Sequence, residues 1–581
     1  MSLWIILLAV LAFTIPATIV VTAGMTVTRR LWLANPLVGP LYGVLVLALI
    51  SWLAFLAYWI APAVGVVFGS AALVAALVAF VQGGLWREWR QALPIGALIV
   101  GAIVFYLGFT YLWGTDGGVY DVVPTRFFHF RMPADNLLPG IFGQHLVAGQ
   151  PTHAMLGDWN GGDRPPLQSG FGLLMRPIVG LAQLLTGHSP VEEIPEATSF
   201  AFDMLPQLLW VPAGYALLRM LSFRRWTAVG GLVFALIIPT VMVNTVFTWP
   251  KMLSAALVLA ALAFLLAAKK TPERFAVYFG SAILAAVFAV LAHGAAAFTI
   301  PVLLIVGVYA LRGRPLRRSL AGIGIAIGAG LVLYAPWIIY QRFVDPPGDR
   351  LLKWHLAGIT QIDPRSFLQA FVDQYSSLTF SQFLANRLQN LSTLFGSDRF
   401  AQFSDPKADL TVVFRVEDWT STMFAIGIIA TVLLTMAVVS LAGRWRSLST
   451  SERPRLVLLG GMLASVVIWV LVLFTPNQAI VPHGSHAWIL VLTMVPFAWL
   501  LEWAPRTGVV LLCVQAAFGV TLYFRDLYDP TSRFSPSAAL VSFVGLLFLL
   551  VVPLLLARRG ERMSSPDELA GTRRAARAPA R

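Results

Sequence analysis

The sequence contains a single cysteine, Cys513, and it lies within a long apolar run. One cysteine cannot form an internal disulfide, and a structural zinc site built from cysteines needs several of them. The histidines offer no substitute, because the spacing of His293, His483 and His486 does not match a helical zinc motif. We therefore expect neither a disulfide framework nor a structural zinc site.

Charged residues are also scarce, at 12% of the chain, whereas 58% of residues are hydrophobic and the mean hydropathy is +0.78. Soluble domains carry about twice that share of charge, so this composition excludes a soluble globular protein. Apolar runs of about twenty residues recur along the chain, and this length suits membrane-spanning helices rather than the shorter strands of a barrel. Because lipid cannot satisfy backbone hydrogen bonds, we predict an all-α polytopic membrane protein.

The net charge of +14 arises from short clusters of Arg and Lys between the apolar runs. That distribution follows the positive-inside rule, so we expect membrane lipids and no nucleic acid as partners. Alternation of the basic clusters predicts about fifteen spans, with the amino terminus outside and the carboxyl terminus inside. The first run lacks the basic start of a cleaved signal peptide and is long enough to span. The predicted spans are 2–25, 38–59, 62–83, 94–113, 197–220, 227–247, 252–268, 276–292, 296–311, 319–340, 422–443, 456–474, 487–503, 508–523 and 538–557.

The polar stretches divide this chain into segments. We predict additional amino-terminal spans, a central membrane core that includes the first long outer loop, a second long outer loop, carboxyl-terminal spans and a basic tail. Their ranges are 1–93, 94–340, 341–421, 422–557 and 558–581. The tail is rich in Arg, Ala and Pro, a composition that favours disorder. The stretch 168–187 carries Arg176 and is predicted to be an interfacial or re-entrant helix, so amphipathic helices are expected in both loops.

The first long loop, 114–167, is polar and rich in aromatic residues, and it is far longer than a connector requires. Its ionisable groups are Asp116, Asp121, Asp135, Asp158, Asp163, His129, His145, His153, Arg126, Arg131 and Arg164. Carboxylates suit a general base, whereas Arg and Lys suit a phosphate. Aromatic rings suit the face of a sugar or the headgroup region. A site of this kind at the membrane surface indicates glycosyl transfer from a lipid-linked sugar.

Two elements of this loop resemble a motif pair of a known superfamily. Residues 135–149, an Asp-Asn pair followed by a helix-like stretch to His-Leu and Gly, resemble the Asp-Glu signature of protein O-mannosyltransferases and lipid A aminoarabinose transferases. Residues 163–167, Asp-Arg-Pro-Pro-Leu, resemble their His-Pro-Pro-Leu or Lys-Pro-Pro-Leu element. Asn136 stands where that signature has Glu. The chain is thus similar to the GT-C superfamily of polyprenyl-phosphate-sugar glycosyltransferases.

The resemblance implies an inverting transfer in which a loop carboxylate deprotonates the acceptor hydroxyl and polyprenyl phosphate leaves. Asp135 is the first candidate for this general base because it occupies the motif position. Asp116, just beyond a span end, is the second, although a turn-forming role is equally open. Asp163 is the third candidate, and it shares with Asp158 the alternatives of orienting the acceptor or pairing with Arg164. A divalent cation (Mg, Mn or Ca) held by carboxylates also stays open, as in some relatives.

Four further residues are predicted to bind the donor phosphate, together with Arg164, for which bracing of the loop is the alternative. Arg350, Lys353 and His355 of the second loop would lie near one another on a helix turn. An interfacial amphipathic helix that meets lipid headgroups is the alternative for that segment. Lys251 lies at the outer end of a span, against the positive-inside rule, where snorkelling to the interface is the alternative.

Two other classes of function stay open. A ligase or polymerase that moves a whole lipid-linked glycan would depend on Arg and His of the second loop rather than on an Asp of the first. A transporter or flippase would need ionisable groups within the spans, where Asp203 is the main acid. The excess of Arg over Lys and the abundant Ala fit a bacterial protein. We therefore expect an inner-membrane enzyme whose site faces the periplasm and whose acceptor is a cell-envelope glycan, lipid or protein.

Overall fold

The computed structural model describes residues 2–84, 89–114, 117–122, 136–395, 449, 452–474, 486–525 and 533–563. The helices before the first loop are α1 (Leu3–Val27), α2 (Arg29–Trp32), α3 (Gly39–Ile60), α4 (Pro62–Gly83) and α5 (Trp89–Thr110). The next are α6 (Leu138–Ala148), α7 (Leu167–Leu185), α8 (Glu196–Gln207), α9 (Trp210–Met220), α10 (Arg225–Leu236) and α11 (Pro239–Val246). Four long helices follow, α12 (Lys251–Lys270), α13 (Phe275–Ala292), α14 (Ile300–Leu311) and α15 (Leu316–Ile339).

The second loop contributes α16 (Arg350–Ala357), α17 (Phe367–Ser376) and α18 (Phe380–Phe395). The last helices are α19 (Arg453–Val472), α20 (Ala487–Trp503), α21 (Pro505–Arg525) and α22 (Pro536–Met563). Strands within the described ranges are confined to one antiparallel pair, β1 (Trp113–Gly114) with β2 (Arg533–Phe534). The pair joins the end of α5 to the start of α22.

Ten helical segments in the described part of the chain are long and apolar enough to cross a membrane: α1, α3, α4, α5, α12, α13, α14, α15, α19 and α22. The segment of α14 reaches this length only together with the 3-10 helix Gly294–Thr299 that precedes it. The prediction of a helical multi-pass membrane protein is thereby confirmed. The larger number of spans expected from hydropathy is not reached within these residues. The predicted span 197–220 is two short helices, α20 and α21 are shorter apolar helices, and 422–443 lies outside the described residues.

Prolines account for the broken runs. Pro206 and Pro212 flank the break between α8 and α9, and Pro239 begins α11 after α10. Proline removes a backbone donor and clashes with the preceding turn, so it ends or bends a helix that apolar composition alone would continue. The α10–α11 pair bends by 69° and would count as one further span if it crosses as a unit.

Helix α12 is the centre of the bundle. Every residue of its apolar window is buried, and it packs against α9, α13 and α14. Its sequence alternates Ala with Leu, which lets neighbouring helices approach closely while still filling the space between them. Because α12 begins at Lys251 and ends at Lys269 and Lys270, it carries one predicted site residue at one end and a basic cluster at the other.

Helices α5 and α22 pack closely side by side. A Cβ added at Gly108 would lie 2.6 Å from the Ser542 backbone nitrogen, and one added at Gly545 would lie 2.5 Å from that of Phe105. Glycine at these positions therefore permits backbone contact, as small residues do in membrane helix pairs. The β1–β2 ladder fastens the same two helices at one end.

Several basic residues of the described ranges lie together at one end of the bundle. Lys270 Nζ donates to Ser222 Oγ at 3.0 Å, and Lys269 Nζ donates to the Arg312 carbonyl at 2.6 Å. At the start of α19, Arg455 donates to Glu502, the acid near the end of α20, at 2.9 Å. The ends of α9, α12, α14, α19 and α20 therefore share one face of the protein.

Helix α19 runs from that basic end to the opposite end. Near its far end Asn390 of α18 donates to the carbonyls of Val470 and Leu473 at 2.9 and 2.7 Å. At the start of α19, the Ser449 N–H donates to Glu452 Oε2 at 2.9 Å. The predicted span 422–443 lies outside the described residues.

Helix α7 is the helix predicted at 168–187. It packs against α3 and α4, and a Cβ at Gly170 would meet the carbonyl of Ser51 well inside α3. Arg176 is buried and donates to the backbone carbonyls of Pro190 (3.0 Å) and Glu192. A guanidinium that satisfies carbonyls of the next loop is stabilised without an acid.

Candidate functional site

The first motif-like element, 135–149, contains the helix α6, and the second, 163–167, leads into α7. Residues 138–148 form this helix, and Gly149 ends it in the left-handed conformation at φ 64°, a common glycine role at helix ends. Pro165 and Pro166 then precede Leu167, the first residue of α7. From residue 136 onward, the described part of the loop is therefore a helix and a turn that lead directly into a packed helix.

Asp163 is held in the turn between these helices. Its Oδ2 accepts the Asn160 backbone N–H at 2.9 Å, and Asn160 Oδ1 accepts the Ala154 N–H at 2.8 Å. The Asp163 residue is 4% exposed, and its Oδ1 has no hydrogen-bond partner among the described residues. Burial raises the pKa of this carboxyl, opposed by the Asn160 hydrogen bond and by the charges of Arg350 and Arg164.

Arg350, the first residue of α16, connects the second loop to this turn. It donates to the Asp158 carbonyl at 2.9 Å and to Asp158 Oδ2 at 2.7 Å. Its Nη1 also lies 3.9 Å from Asp163 Oδ2. Asp158 therefore pairs with Arg350 and not with Arg164, the partner considered from the sequence.

Trp159 is a component of the site to which the sequence reasoning gave no role. The guanidinium carbons of Arg350 and Arg164 lie 4.3 and 5.0 Å from its ring centroid. The ring also stacks on Trp354 of α16 at 6.0 Å. Its position between Asp158 and the polar turn was visible in the sequence, but its two cationic neighbours come from different loops.

Asp345 provides a second connection between the loops. This fully buried carboxylate accepts the Gly162 N–H at 2.7 Å and pairs with His153 at 3.0 Å. Gln341 adds a bond from its Nε2 to the Gly162 carbonyl at 2.8 Å. The turn that holds Asp163 is thus fixed by hydrogen bonds between its backbone and two side chains of the second loop.

Lys353 is directed to the second loop itself. Its Nζ donates to the Asp363 carbonyl at 2.8 Å and pairs with Asp349 at 2.9 Å, and the residue is 2% exposed. These contacts stabilise α16 and the segment after it. Lys353 therefore contacts only the second loop in these bonds, whereas Arg350 contacts the first loop.

His355 lies close enough to Arg164 and Lys251 to be influenced by both charges. Burial of the ring, together with those two cations, lowers the pKa of His355 to about 3. Burial and Lys251 likewise hold the pKa of His486, at the start of α20, well below its usual range. Both imidazoles are consequently neutral at physiological pH, and the positive charge here comes from Arg164 and Lys251.

A small cavity lies beside this cluster, at the junction of α6 and α7. Its lining includes Phe142, Asn160, Arg164, Ser169 and Pro250. The cavity combines an apolar wall with a guanidinium and polar groups, and its free space of about 10 Å³ suits a single water molecule rather than a sugar. Pro250 also places the cavity next to Lys251, the first residue of α12.

The first two candidates for the general base, Asp135 and Asp116, lie outside the described residues, as do Arg126, His129, Arg131 and His483. His293 has a structural role, because its Nδ1 accepts the Ala295 N–H at 3.0 Å. In the described ranges no group of three or more His, Cys, Asp or Glu side chains is placed to hold a metal ion. Asp158 and Asp163 instead both face Arg350.

Comparisons with known proteins add no relative. No protein-family profile matches the chain, and no curated protein or solved structure is similar to it.

Proposed function

We propose that this protein is a membrane glycosyltransferase of the GT-C type that moves a sugar from a polyprenyl-phosphate donor to a cell-envelope acceptor. The acceptor is a glycan, lipid or protein, and transfer takes place on the extracytoplasmic side of a bacterial inner membrane. The proposal includes the full set of about fifteen spans that the charge pattern predicts.

The observation that carries the proposal is the position of Asp163. A buried carboxylate with one unpaired oxygen among the described residues lies where the two outer loops meet, 3.9 Å from Arg350. Arg164 and Lys251, the cations that act on His355, belong to the same end of the bundle. A carboxylate beside several cations supplies the two functions that the transfer needs, a proton acceptor and a phosphate clamp.

In the proposed reaction the acceptor hydroxyl attacks the anomeric carbon and transfers its proton to an aspartate. The bond between that carbon and the phosphate oxygen breaks, and the electron pair leaves with polyprenyl phosphate. Asp135, Asp116 and Asp163 are the candidate bases, and the raised pKa of Asp163 makes its carboxylate a stronger proton acceptor than an ordinary one. Arg164, Lys251 and Arg350 stabilise the leaving phosphate.

The test is transfer of radiolabelled sugar from polyprenyl-phosphate donors by the purified full-length protein in lipid nanodiscs. Wild type is compared with Asp163→Asn, Asp135→Asn and Asp116→Asn, and with Asp373→Asn, an exposed acid of α17, as a matched control. The general base is the position at which transfer falls by about a hundredfold or more while the control stays near wild type. A chelator arm decides whether a divalent cation takes part.

Sugar transfer by wild type is the result on which the proposal depends. If folded wild-type protein transfers sugar from no such donor, the function is not that of a sugar transferase. A lipid-linked glycan substrate is then offered to the same panel together with Arg350→Ala, because a glycan ligase would depend on the second loop. Absence of both reactions leaves the transporter or flippase class.

A further inference from the structure

The residues that precede the central helix α12 adopt a strained turn. Thr248 has a φ of 58°, in the left-handed region, and it is fully buried. A β-branched residue rarely adopts this conformation, which persists only where the surrounding structure enforces it. The turn also brings the Lys251 N–H to the Trp249 carbonyl at 2.6 Å.

A buried polar network holds this turn from α7 and α8. Gln168 Nε2 donates to the Thr248 carbonyl at 3.0 Å and to Asp203 Oδ1 at 2.9 Å. Gln207 Nε2 donates to Gln168 Oε1 at 2.8 Å, and Gln207 Oε1 accepts the Leu253 N–H at 3.0 Å. The network therefore bonds the backbone on both sides of Lys251, at Thr248 and at Leu253.

The same network reaches the first outer loop. Tyr120 donates its hydroxyl proton to Asp203 Oδ2 at 2.5 Å and lies 3.1 Å from Ser199 Oγ. Gln168, Asp203 and Gln207 are each at most 4% exposed. A buried polar network with its donors and acceptors satisfied is rigid and sensitive to the loss of any member.

The turn presents Lys251 in an unfavourable position. The residue is 1% exposed, its Nζ lies 3.6 Å from the Trp249 ring centroid, and it is the first residue of α12. The amino end of a helix carries partial positive charge, so a cation there is destabilised while an anion bound beside it is stabilised. An enforced cation at this end is therefore suited to hold an anionic ligand group.

We propose that Gln168 and Asp203 are positioning residues that fix the 248–251 turn, so that the Lys251 ammonium is held for the phosphate of the lipid-linked donor. This inference rests on the proposed function, because it names the ligand group by that function. It assigns a role to Asp203, the main acid of the apolar runs, that is neither ion transport nor proton transfer. Gln168 is the direct link, since its amide bonds both Asp203 and Thr248.

The experiment uses Gln168→Glu, which keeps the shape of the side chain and removes both Nε2 donors. Gln183→Glu is the matched control, because it is the same change on the same helix at a residue whose Nε2 faces the Glu192 and Glu193 carbonyls. Hydrogen exchange of the peptide around 248–256 is measured first, without substrate. The donor KM and kcat are then measured for both variants, for Lys251→Met and for Gln168→Glu combined with Lys251→Met.

We expect hydrogen exchange of the peptide around 248–256 to be faster in Gln168→Glu than in wild type. In Gln183→Glu the exchange of this peptide should equal that of wild type. The donor KM should rise by about tenfold in Gln168→Glu, the effect of one interaction worth a factor of ten in affinity, while kcat changes less. In the Lys251→Met background the same change should raise KM no further, because residues that act through one another are not additive. A merely structural role would instead give independent losses in the double variant.

Two results would overturn the inference. Unchanged exchange in Gln168→Glu would show that the amide does not hold the turn, and multiplied KM effects in the double variant would show that it does not act through Lys251. Wild type that transfers no sugar would overturn the proposed function instead, and the exchange comparison would still decide whether Gln168 fixes the turn.

Discussion

Arg350 and Asp158 form an ion pair of 2.7 Å in which the arginine side chain is 7% exposed and the aspartate side chain 57%. The pair joins the first residue of α16 to the first outer loop, and its two members stand in different surroundings. Arg350 also faces the buried Asp163 and the Trp159 ring, whereas Asp158 is open to solvent. The loss of stability on removing Arg350 should therefore differ from the loss on removing Asp158.

Asp158→Ala should lower stability by about 1 kcal/mol or less, because exposed carboxylates contribute little to an ion pair. Arg350→Ala should cost about 3–5 kcal/mol, since it leaves the buried Asp163 carboxylate without its nearest cation. Thermal unfolding in detergent, followed by intrinsic fluorescence, measures both. Equal losses for the two variants would mean that Arg350 acts only through its bond to Asp158.

Asp163 should make stability depend on pH in one direction. Its pKa is raised in the folded state by burial, so the folded protein binds a proton more tightly than the unfolded chain does. The resulting stabilisation is complete below the ordinary carboxyl pKa and is lost as pH rises through the folded value. As the pH rises above the ordinary carboxyl pKa of about 4, Asp163→Asn should therefore become more stable relative to wild type.

The comparison is made as the difference between the two melting temperatures at each pH. Asp373→Asn serves as the control, because that acid lies on the surface of α17. A difference between wild type and Asp163→Asn that does not vary with pH would contradict the assignment of a raised pKa.

His355 should make stability depend on pH in the direction opposite to that of Asp163. Its folded pKa of about 3 lies below the ordinary histidine value, so the unfolded chain binds the proton more tightly. This contribution to stability is complete above about pH 6.5 and is lost as pH falls toward the folded value. His355→Gln, which cannot gain a proton, should lose less stability than wild type between about pH 7 and about pH 4.

Measurement of the unfolding midpoint across that range, for wild type and His355→Gln, tests the sign. His153→Gln is the matched control, because the His153 side chain is largely exposed, unlike that of His355. His153 pairs with the Asp345 carboxylate. If wild type and His355→Gln showed parallel pH dependence, the imidazole would not be held neutral by its surroundings.

Hydropathy and charge predicted the architecture because both signals are local. A run such as 252–268 is apolar along its whole length and ends in lysines, and it forms α12 almost residue for residue. The break within 197–220 was not predicted, since its prolines were outweighed by the apolar average. The helix-like stretch before Gly149 is the helix α6, which Gly149 ends.

The contacts at the site depend on distant parts of the chain and could not be predicted. Arg350 was recognised as a site candidate, yet its pairing with Asp158 joins residues far apart in sequence. Gln168 and Gln207 have no signal in the sequence at all, because a glutamine in an apolar run reveals neither its partners nor its burial. Trp159 had no predicted role, because its two cationic neighbours come from separate loops.

Trp159 should stabilise the meeting of the two loops through its cationic neighbours. Trp159→Leu removes both cation–π contacts and the stack on Trp354, so it should lower stability by about 2–4 kcal/mol and raise the donor KM. Trp159→Phe keeps an aromatic face and should recover at least half of the loss. Melting temperature and KM are measured for both, and equal behaviour of Leu and Phe would rule out a role for the ring face.

At the basic end of the bundle, Arg455 should contribute to stability but not to sugar transfer. Arg455 is 4% exposed, pairs with Glu502 at 2.9 Å, donates to the Leu221 carbonyl at 3.1 Å and lies 3.7 Å from the Phe223 ring centroid. Arg455→Ala should cost about 3–5 kcal/mol, because Glu502 loses a buried partner.

Arg455→Ala combined with Glu502→Ala should recover part of that loss, since no unpaired charge then remains. Because this pair lies at the end of the bundle opposite to Asp163, the donor KM of folded Arg455→Ala protein should equal that of wild type. Unfolding curves and donor titrations are made on the same preparations. A KM change as large as that of Lys251→Met would place part of the donor site at the basic end and contradict the proposed orientation.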